Sequence, residues 1–334
     1  MTAQLIRAST DTHLWAKEFD RNVSDMLQLQ AEVAQAVAHE IQAQVTPEEA
    51  RRLAQAVALD PAVQDAYLLG RRHLEQGGVE NFKKAISYFE QVIKSKPDYA
   101  PAYASLSSAR ADLDNLIPQS EEAIRIPAEK AVKLDPELGE GHAVLAGARF
   151  NAWNWTEAEA EFQRAVELNP DSAFVCACYG VFLATVGKFR EAFAVLDHGI
   201  KANPMSSEIH GNYALVAYLG RRYDDAIAHA LRALELEPQN VVSVIVLART
   251  YTRQGKFDDA IALLEKSVFR GSAFLAEAYA SAGRKTEAWK IVNSITAPEA
   301  AHLPWGSPAH ISHWVINTGV LNGSLDLSIV RKVL

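Results

Sequence analysis

Cysteine is nearly absent: Cys176 and Cys178 are the only two in 334 residues. That excludes a disulfide framework. Placed two apart on a helix they point roughly 200° away from each other, so they cannot share a metal ion, and small core residues are the expected role. No run approaches the roughly 20 apolar residues of a membrane span. The opening MTAQLIRASTDTH lacks an apolar h-region and a small-residue cleavage site, so the expectation is a soluble, cytoplasmic protein. Lys and Arg number 33 against 41 Asp and Glu, for a net charge of -8. A broad nucleic-acid footprint needs clustered cations, so nucleic acid is not an expected partner. No Walker loop, no G-x-G-x-x-G after a strand, no G-x-S-x-G and no H-E-x-x-H occurs. Catalytic residues, cofactors and metal ligands are therefore not expected. Hydrophobic residues make up 49 % of the chain, enough to bury a core and offset the entropy of ordering.

What is present is a repeat. AVKLDP (Ala131–Pro136), AVELNP (Ala165–Pro170), GIKANP (Gly199–Pro204) and ALELEP (Ala233–Pro238) end at prolines spaced 34 residues apart. Ala158, Ala192, Ala226 and Ala260 recur in the same register, followed four residues later by Phe162, Leu196, Ala230 and Leu264. Apolar residues at i, i+3, i+4 and i+7 predict amphipathic helices. Small residues at a crossing let two helix axes approach. The closing Pro stops each second helix, because it lacks an N–H and bars the preceding residue from the α region. The unit is a helix–turn–helix.

These residues resemble the tetratricopeptide repeat family, whose consensus has a 34-residue period, a small-Ala-Phe pattern and a closing Pro. The resemblance runs from about Asp65 to the C-terminus and is strongest from Gly139 to Ala260. It implies an all-α solenoid, a right-handed superhelix of helix–turn–helix repeats. About seven to eight units are placed over 65–334, at 65–98, 99–138, 139–172, 173–206, 207–240, 241–268, 269–302 and 303–334. LEQGGVEN and LDNLIPQS lengthen the turns of the first two. The sixth lacks the closing phrase and enters the next unit about six residues early.

Residues 1–45 read differently. Ala3–Arg7 and His13–Phe19 alternate as two strands, and Ser24 starts a helix to about Val45. Thr46-Pro47-Glu48-Glu49 opens a connecting helix within 46–64. A lone hairpin with one helix is marginal and its edges invite pairing. Residues 1–45 are therefore expected to be an incomplete α/β segment, the tail of a larger domain, able to self-associate. QLIRASTDTHLWAKEFDR also resembles the junction between an α/β domain and a repeat array in bacterial cyclase- or winged-helix-linked signalling proteins.

Candidate chemistry is thin. His310 and His313, with His302 nearby, lack a carboxylate partner, so no metal is expected. Glu157, Glu159 and Glu161 read as a solvated helix face. Trp153 is expected to pack between helices and Trp155 to be partly exposed. In the resembling family the first helices line a concave groove that holds extended or helical peptides. The inward positions fall here on Glu140, Ala143, Gly147, Phe150 and Asn151, on Phe174, Ala177, Val181, Ala184 and Thr185, on Glu208, Gly211, Leu215, Tyr218 and Leu219, and on Val242, Ile245, Arg249, Thr252 and Arg253, and of these Phe174, Val181, Leu215, Tyr218, Leu219, Val242, Ile245, Arg249 and Arg253 are the candidate binding residues. The groove is mostly small and apolar, with a cationic pair, Arg249 and Arg253, one turn apart. The lysines and asparagines with which some members hold a C-terminal carboxylate are not at the matching places. The expected function is a non-catalytic scaffold that binds a partner protein or peptide in this groove, with the arginines orienting an acidic group. The alternative is the sensory half of a bacterial adenylate cyclase or transcriptional regulator.

Overall fold

The computed structural model describes residues 2–7, 12–18, 60–114, 117, 119–267 and 269–296; for 2–7, 12–18 and 295–296 it describes the backbone alone. The helices expected over 24–59, the unit expected over 303–334 and His302, His310 and His313 lie outside the described residues. β1 (Thr2–Arg7) and β2 (Thr12–Glu18) form an antiparallel pair, Leu5 opposite Trp15, with a register shift between Leu5 and Ile6.

The described array begins where two helix-start signals meet. Asp60 accepts a hydrogen bond from the Ala62 N–H at 2.9 Å and Pro61 takes the first helical position, where its missing N–H costs nothing. The first helix therefore starts at Pro61, ahead of the 65 expected from the repeat. Seven helix pairs follow among the described residues: α1 (Pro61–Gln76) and α2 (Val79–Ser95), α3 (Ala100–Asp114) and α4 (Glu121–Leu134), α5 (Gly139–Asn151) and α6 (Trp155–Leu168), α7 (Ala173–Thr185) and α8 (Phe189–Ala202), α9 (Ser207–Leu219) and α10 (Tyr223–Leu236), α11 (Val241–Arg253) and α12 (Phe257–Lys266), α13 (Ala273–Ser281) and α14 (Lys285–Thr296).

The caps repeat with the chain. Ser172, Ser206 and Asn240 each accept from the N–H three residues on, opening α7, α9 and α11. Between the helices of a pair the chain must pass through the left-handed region. Gly187, Gly255 and Gly283 do so without a Cβ penalty, whereas Trp153 (φ 64°) and Arg221 (φ 60°) do so against it.

Packing follows the alanines. Ala158, Ala192, Ala226 and Ala260 are wholly buried at the crossings. Glycine allows still closer approach: a Cβ on Gly199 would lie 2.2 Å from Ile209 Cδ1 and 2.7 Å from Cys176 Cβ. That locks α8 against α7 and α9. Cys176 is buried and its thiol donates to the Pro170 carbonyl at 3.2 Å, which makes it a packing residue. The sixth pair is the short one. α12 has 10 residues against 14 in α10, and α13 has 9 against 13 in α11. α13 starts at Ala273, two residues short of the 34-residue interval from Val241, and α14 at Lys285, six short of it from Phe257, so the expected shortfall is complete only at the second helix.

Each odd-numbered helix packs on the next odd-numbered one and on its own partner, while each even-numbered helix bridges to the odd helix that follows. The odd helices thus make one continuous layer and the even helices the other. The layer curves toward its open face: Arg71 on α1 and Glu140 on α5 meet at 3.6 Å, passing over α3.

Candidate functional site

The concave face of the odd helices is the surface that the chain builds repeatedly, so it is the candidate site. Its chemistry changes along its length. At the start, Tyr67 on α1 touches Ser105 Oγ at 3.3 Å and lies edge-on to Tyr99 at 5.3 Å. Arg71 ties to Glu140. Asp112, near the end of α3, is pushed up to about 7 by burial alone. Glu208, at the start of α9, is exposed. The protein walls around it first, and the Asp112 carboxylate second, push its pKa up, against the pull of Arg71.

The nine residues read from the inner register divide by environment. Phe174, Val181, Leu215, Leu219 and Val242 are half-buried, each with part of its apolar surface left uncovered. Tyr218 and Ile245 are buried, Tyr218 in the main core cluster and Ile245 in the cluster under α11 to α13. Those two support the groove floor. They are drawn inward because each odd helix is flanked on both sides by other helices, leaving only a narrow stripe open. Arg249 is only 9 % exposed, and Arg253 is exposed.

Tyr218 organises the arginines. The Arg249 guanidinium carbon stands 5.4 Å from the Tyr218 ring centroid. The Tyr218 side chain hydrogen-bonds Arg253, and this contact, ahead of the opposing burial, raises the Arg253 pKa. Glu277 on α13 supplies the nearby carboxylate, 3.8 Å from Arg249 Nε. That distance is an ion pair and too long for a hydrogen bond.

The inner register as counted along the sequence does not include Arg71 and Asp112. Both lie in the first two pairs, where the lengthened turns put the chain out of the 34-residue register, so inward positions could not be counted onto them. Two expectations are corrected. Trp153 does not pack between helices: it is 64 % exposed and stacks on the half-buried Trp155 at 5.8 Å, because the left-handed turn throws its side chain outward. Glu157, Glu159 and Glu161 are not simply solvated. Glu161 binds His142 at 2.6 Å and Arg149 at 3.3 Å, Glu157 binds Arg149 at 3.3 Å, and Glu159 binds Lys188. They tie α6 to α5 and to the N-cap of α8.

Among the described residues no group of three or more His, Cys, Asp or Glu is arranged to hold a metal ion. No described helix is long and apolar enough to cross a membrane.

Family models described as tetratricopeptide repeat match residues 183–241 and 245–301, 217–271, and 78–99. A protein named "Putative adenylate cyclase 3" from Rhizobium meliloti (strain 1021) is 28 % identical over 156 residues, covering 44 % of this chain and 26 % of that protein. A clustered mitochondria protein homolog from Brugia malayi is 25 % identical over 228 residues, covering 64 % of this chain and 14 % of that protein. The chain thus spans about a quarter or less of the length of these relatives. Among solved structures, the human IFIT1 dimer with m7Gppp-AAAA superposes with a TM-score of 0.56 at 15 % identity, covering 93 % of this chain and 82 % of that one. At that identity the likeness is one of fold.

Proposed function

The chain is a tetratricopeptide-repeat protein, and from that premise we propose that it is a non-catalytic scaffold whose concave face holds an extended segment of a partner protein. The observation that carries this is the stripe of half-buried apolar side chains, Phe174, Val181, Leu215, Leu219 and Val242, on successive odd helices. Apolar side chains of an occupant would complete their burial, at roughly 25 cal/mol per Å² removed from water. The odd-numbered helices are held in place by packing on one another and on the even-numbered ones, so little ordering cost opposes binding. A pool of random dodecapeptides, captured on the immobilised chain and read by mass spectrometry, tests the reading. Leu215→Ala with Leu219→Ala should cut recovery several-fold while the variant stays folded. Unchanged recovery would refute it.

A second reading is favoured by the cyclase-named relative: the array would be the regulatory part of a longer signalling polypeptide. The reading frame extended upstream decides it, since an effector domain fused in frame supports this and its absence refutes it.

A further inference from the structure

Away from the groove, two histidines meet at the junction of α9 and α10. His210 and His229 lie edge to edge, their ring centroids 5.2 Å and their Nδ1 atoms 3.0 Å apart. The Nε2 of His210 stands 3.2 Å from the Pro204 carbonyl, which only accepts, so that ring carries its proton on Nε2 and turns a bare Nδ1 toward His229. A ring nitrogen anchored on a backbone carbonyl, with the other nitrogen presented bare, is the arrangement that fixes the tautomer and plane of a metal-ligating histidine. Tyr213 stacks on His229 at 3.8 Å and sets the plane of the second ring. The corresponding positions of earlier units are built otherwise. His142 and Glu161, 68 residues before, form an imidazole–carboxylate pair at 2.6 Å, and Cys176 and Val195 occupy the unit between. Among these three units, two neutral nitrogen donors face each other only at 210 and 229.

We propose that this pair is a seat for one divalent metal ion of the nitrogen-preferring class, Cu²⁺ or Zn²⁺, held through the two Nδ1 atoms. The ion takes the place of the proton between the rings. His210 offers its Nδ1 lone pair as it stands. His229 shifts its proton from Nδ1 to Nε2 by exchange with water, which its half-buried ring permits, and its Nδ1 lone pair makes the second bond. Both rings stay neutral. Bonds of about 2.0–2.1 Å at a tetrahedral angle place the two nitrogens about 3.3 Å apart. The gap of 3.0 Å therefore has to open by only about 0.3 Å. Water fills the remaining positions. Two carboxylates, Asp197 and Asp225, and two guanidinium groups, Arg222 and Arg232, act on the pair from α8, α10 and the turn before α10. Arg222 is held by Asp225 at 2.5 Å and Arg232 by Glu235 at 2.9 Å. With these charges balanced, the donors set the selectivity: imidazole suits Cu²⁺ and Zn²⁺, whereas Ca²⁺ and Mg²⁺ require oxygen.

The test titrates the full chain with Zn²⁺ alone near neutral pH by calorimetry, and repeats the titration on His229→Gln and on a control carrying His310→Gln with His313→Gln. One ion per chain should bind to the unaltered protein and to the control. His229→Gln should weaken that binding about a hundredfold, no less than the removal of an outer-shell partner does elsewhere. Saturating Zn²⁺ should also raise the melting temperature of the unaltered chain and leave that of His229→Gln unmoved. Excess Mg²⁺ or Ca²⁺ should not displace the ion. Absence of binding, equal binding by His229→Gln, or a loss confined to the His310 and His313 control overturns the seat. Displacement by Mg²⁺ overturns the nitrogen-donor assignment. Should His229→Gln fail to fold, imidazole nitrogen NMR of the unaltered chain decides: Zn²⁺ must shift the Nδ1 resonances of two histidines together, and a spectrum that leaves them in place refutes the proposal.

Discussion

His210 and His229 face each other through their Nδ1 atoms at 3.0 Å, joining α9 to α10. The Nε2 of His210 lies 3.2 Å from the Pro204 carbonyl, which can only accept. His210 therefore carries its proton on Nε2, and His229 donates from Nδ1 to the bare Nδ1 of His210. Both rings are neutral, and Tyr213 stacks on His229 at 3.8 Å. A second proton would set two N–H groups against each other.

That pair predicts a loss of stability in mild acid. Burial, and then the neighbouring His210, lower the His229 pKa to about 4, and burial lowers that of His210, against the Pro204 carbonyl. Between pH 6.5 and about 4 the unfolded chain binds protons that the folded pair refuses, so stability is complete above pH 6.5 and drains away as pH falls toward 4. The loss should be on the order of 2 kcal/mol, and His229→Gln should remove much of it. His142 acts with the opposite sign. Burial lowers its pKa, but the Glu161 carboxylate and the Pro136 carbonyl outweigh burial and raise it. Its contribution is present below pH 6.5 and fades as pH rises through the elevated folded value. Thermal melts of the chain and of His229→Gln across roughly pH 4 to 8 check both signs.

Ala192→Glu should cost more than about 3 kcal/mol, since it forces an unpaired charge into a fully enclosed crossing. A change in melting temperature of only a degree or two would contradict the packing. Gly199→Ala tests the same junction from the other side, and should cost about 1–3 kcal/mol because Ile209 and Cys176 must shift to admit one methyl group.

The left-handed turns supply a prediction of the opposite kind. Arg221→Gly should leave stability unchanged or raise it by about 0.5 kcal/mol, the strain relieved exceeding slightly the entropy lost. Gly187→Ala should cost about 1 kcal/mol, all of it backbone strain, because nothing lies within 4 Å of the added Cβ. Chemical denaturation of the two variants separates the cases.

The repeat was legible because the crossings demand small residues at a fixed interval: Ala158, Ala192, Ala226 and Ala260 can be counted along the chain by their spacing alone. The caps Ser172, Ser206 and Asn240 share that interval. At the polar end of the groove Glu140 and Glu208 were legible as inward positions, whereas Arg71 and Asp112 were not. Arg71 and Asp112 sit in pairs whose turns are lengthened, and the meeting of Arg71 with Glu140 depends on curvature, which the 34-residue period does not encode. The division of the inner register was hidden for a related reason. Tyr218 and Leu219 are neighbours in sequence, yet only one keeps an open flank, and which one depends on the rotation of α9 between α7 and α11.

The claim that the concave face carries binding is tested most directly by photo-crosslinking. A benzophenone side chain is placed at Val181, on the inner stripe, or at Leu231, an exposed position on the outer helix α10, and each protein is irradiated with the retained dodecapeptide pool. Crosslinks from position 181 with few from position 231 are the result predicted. Equal labelling from both, or labelling from 231 alone, would place binding on the outer layer and contradict the account.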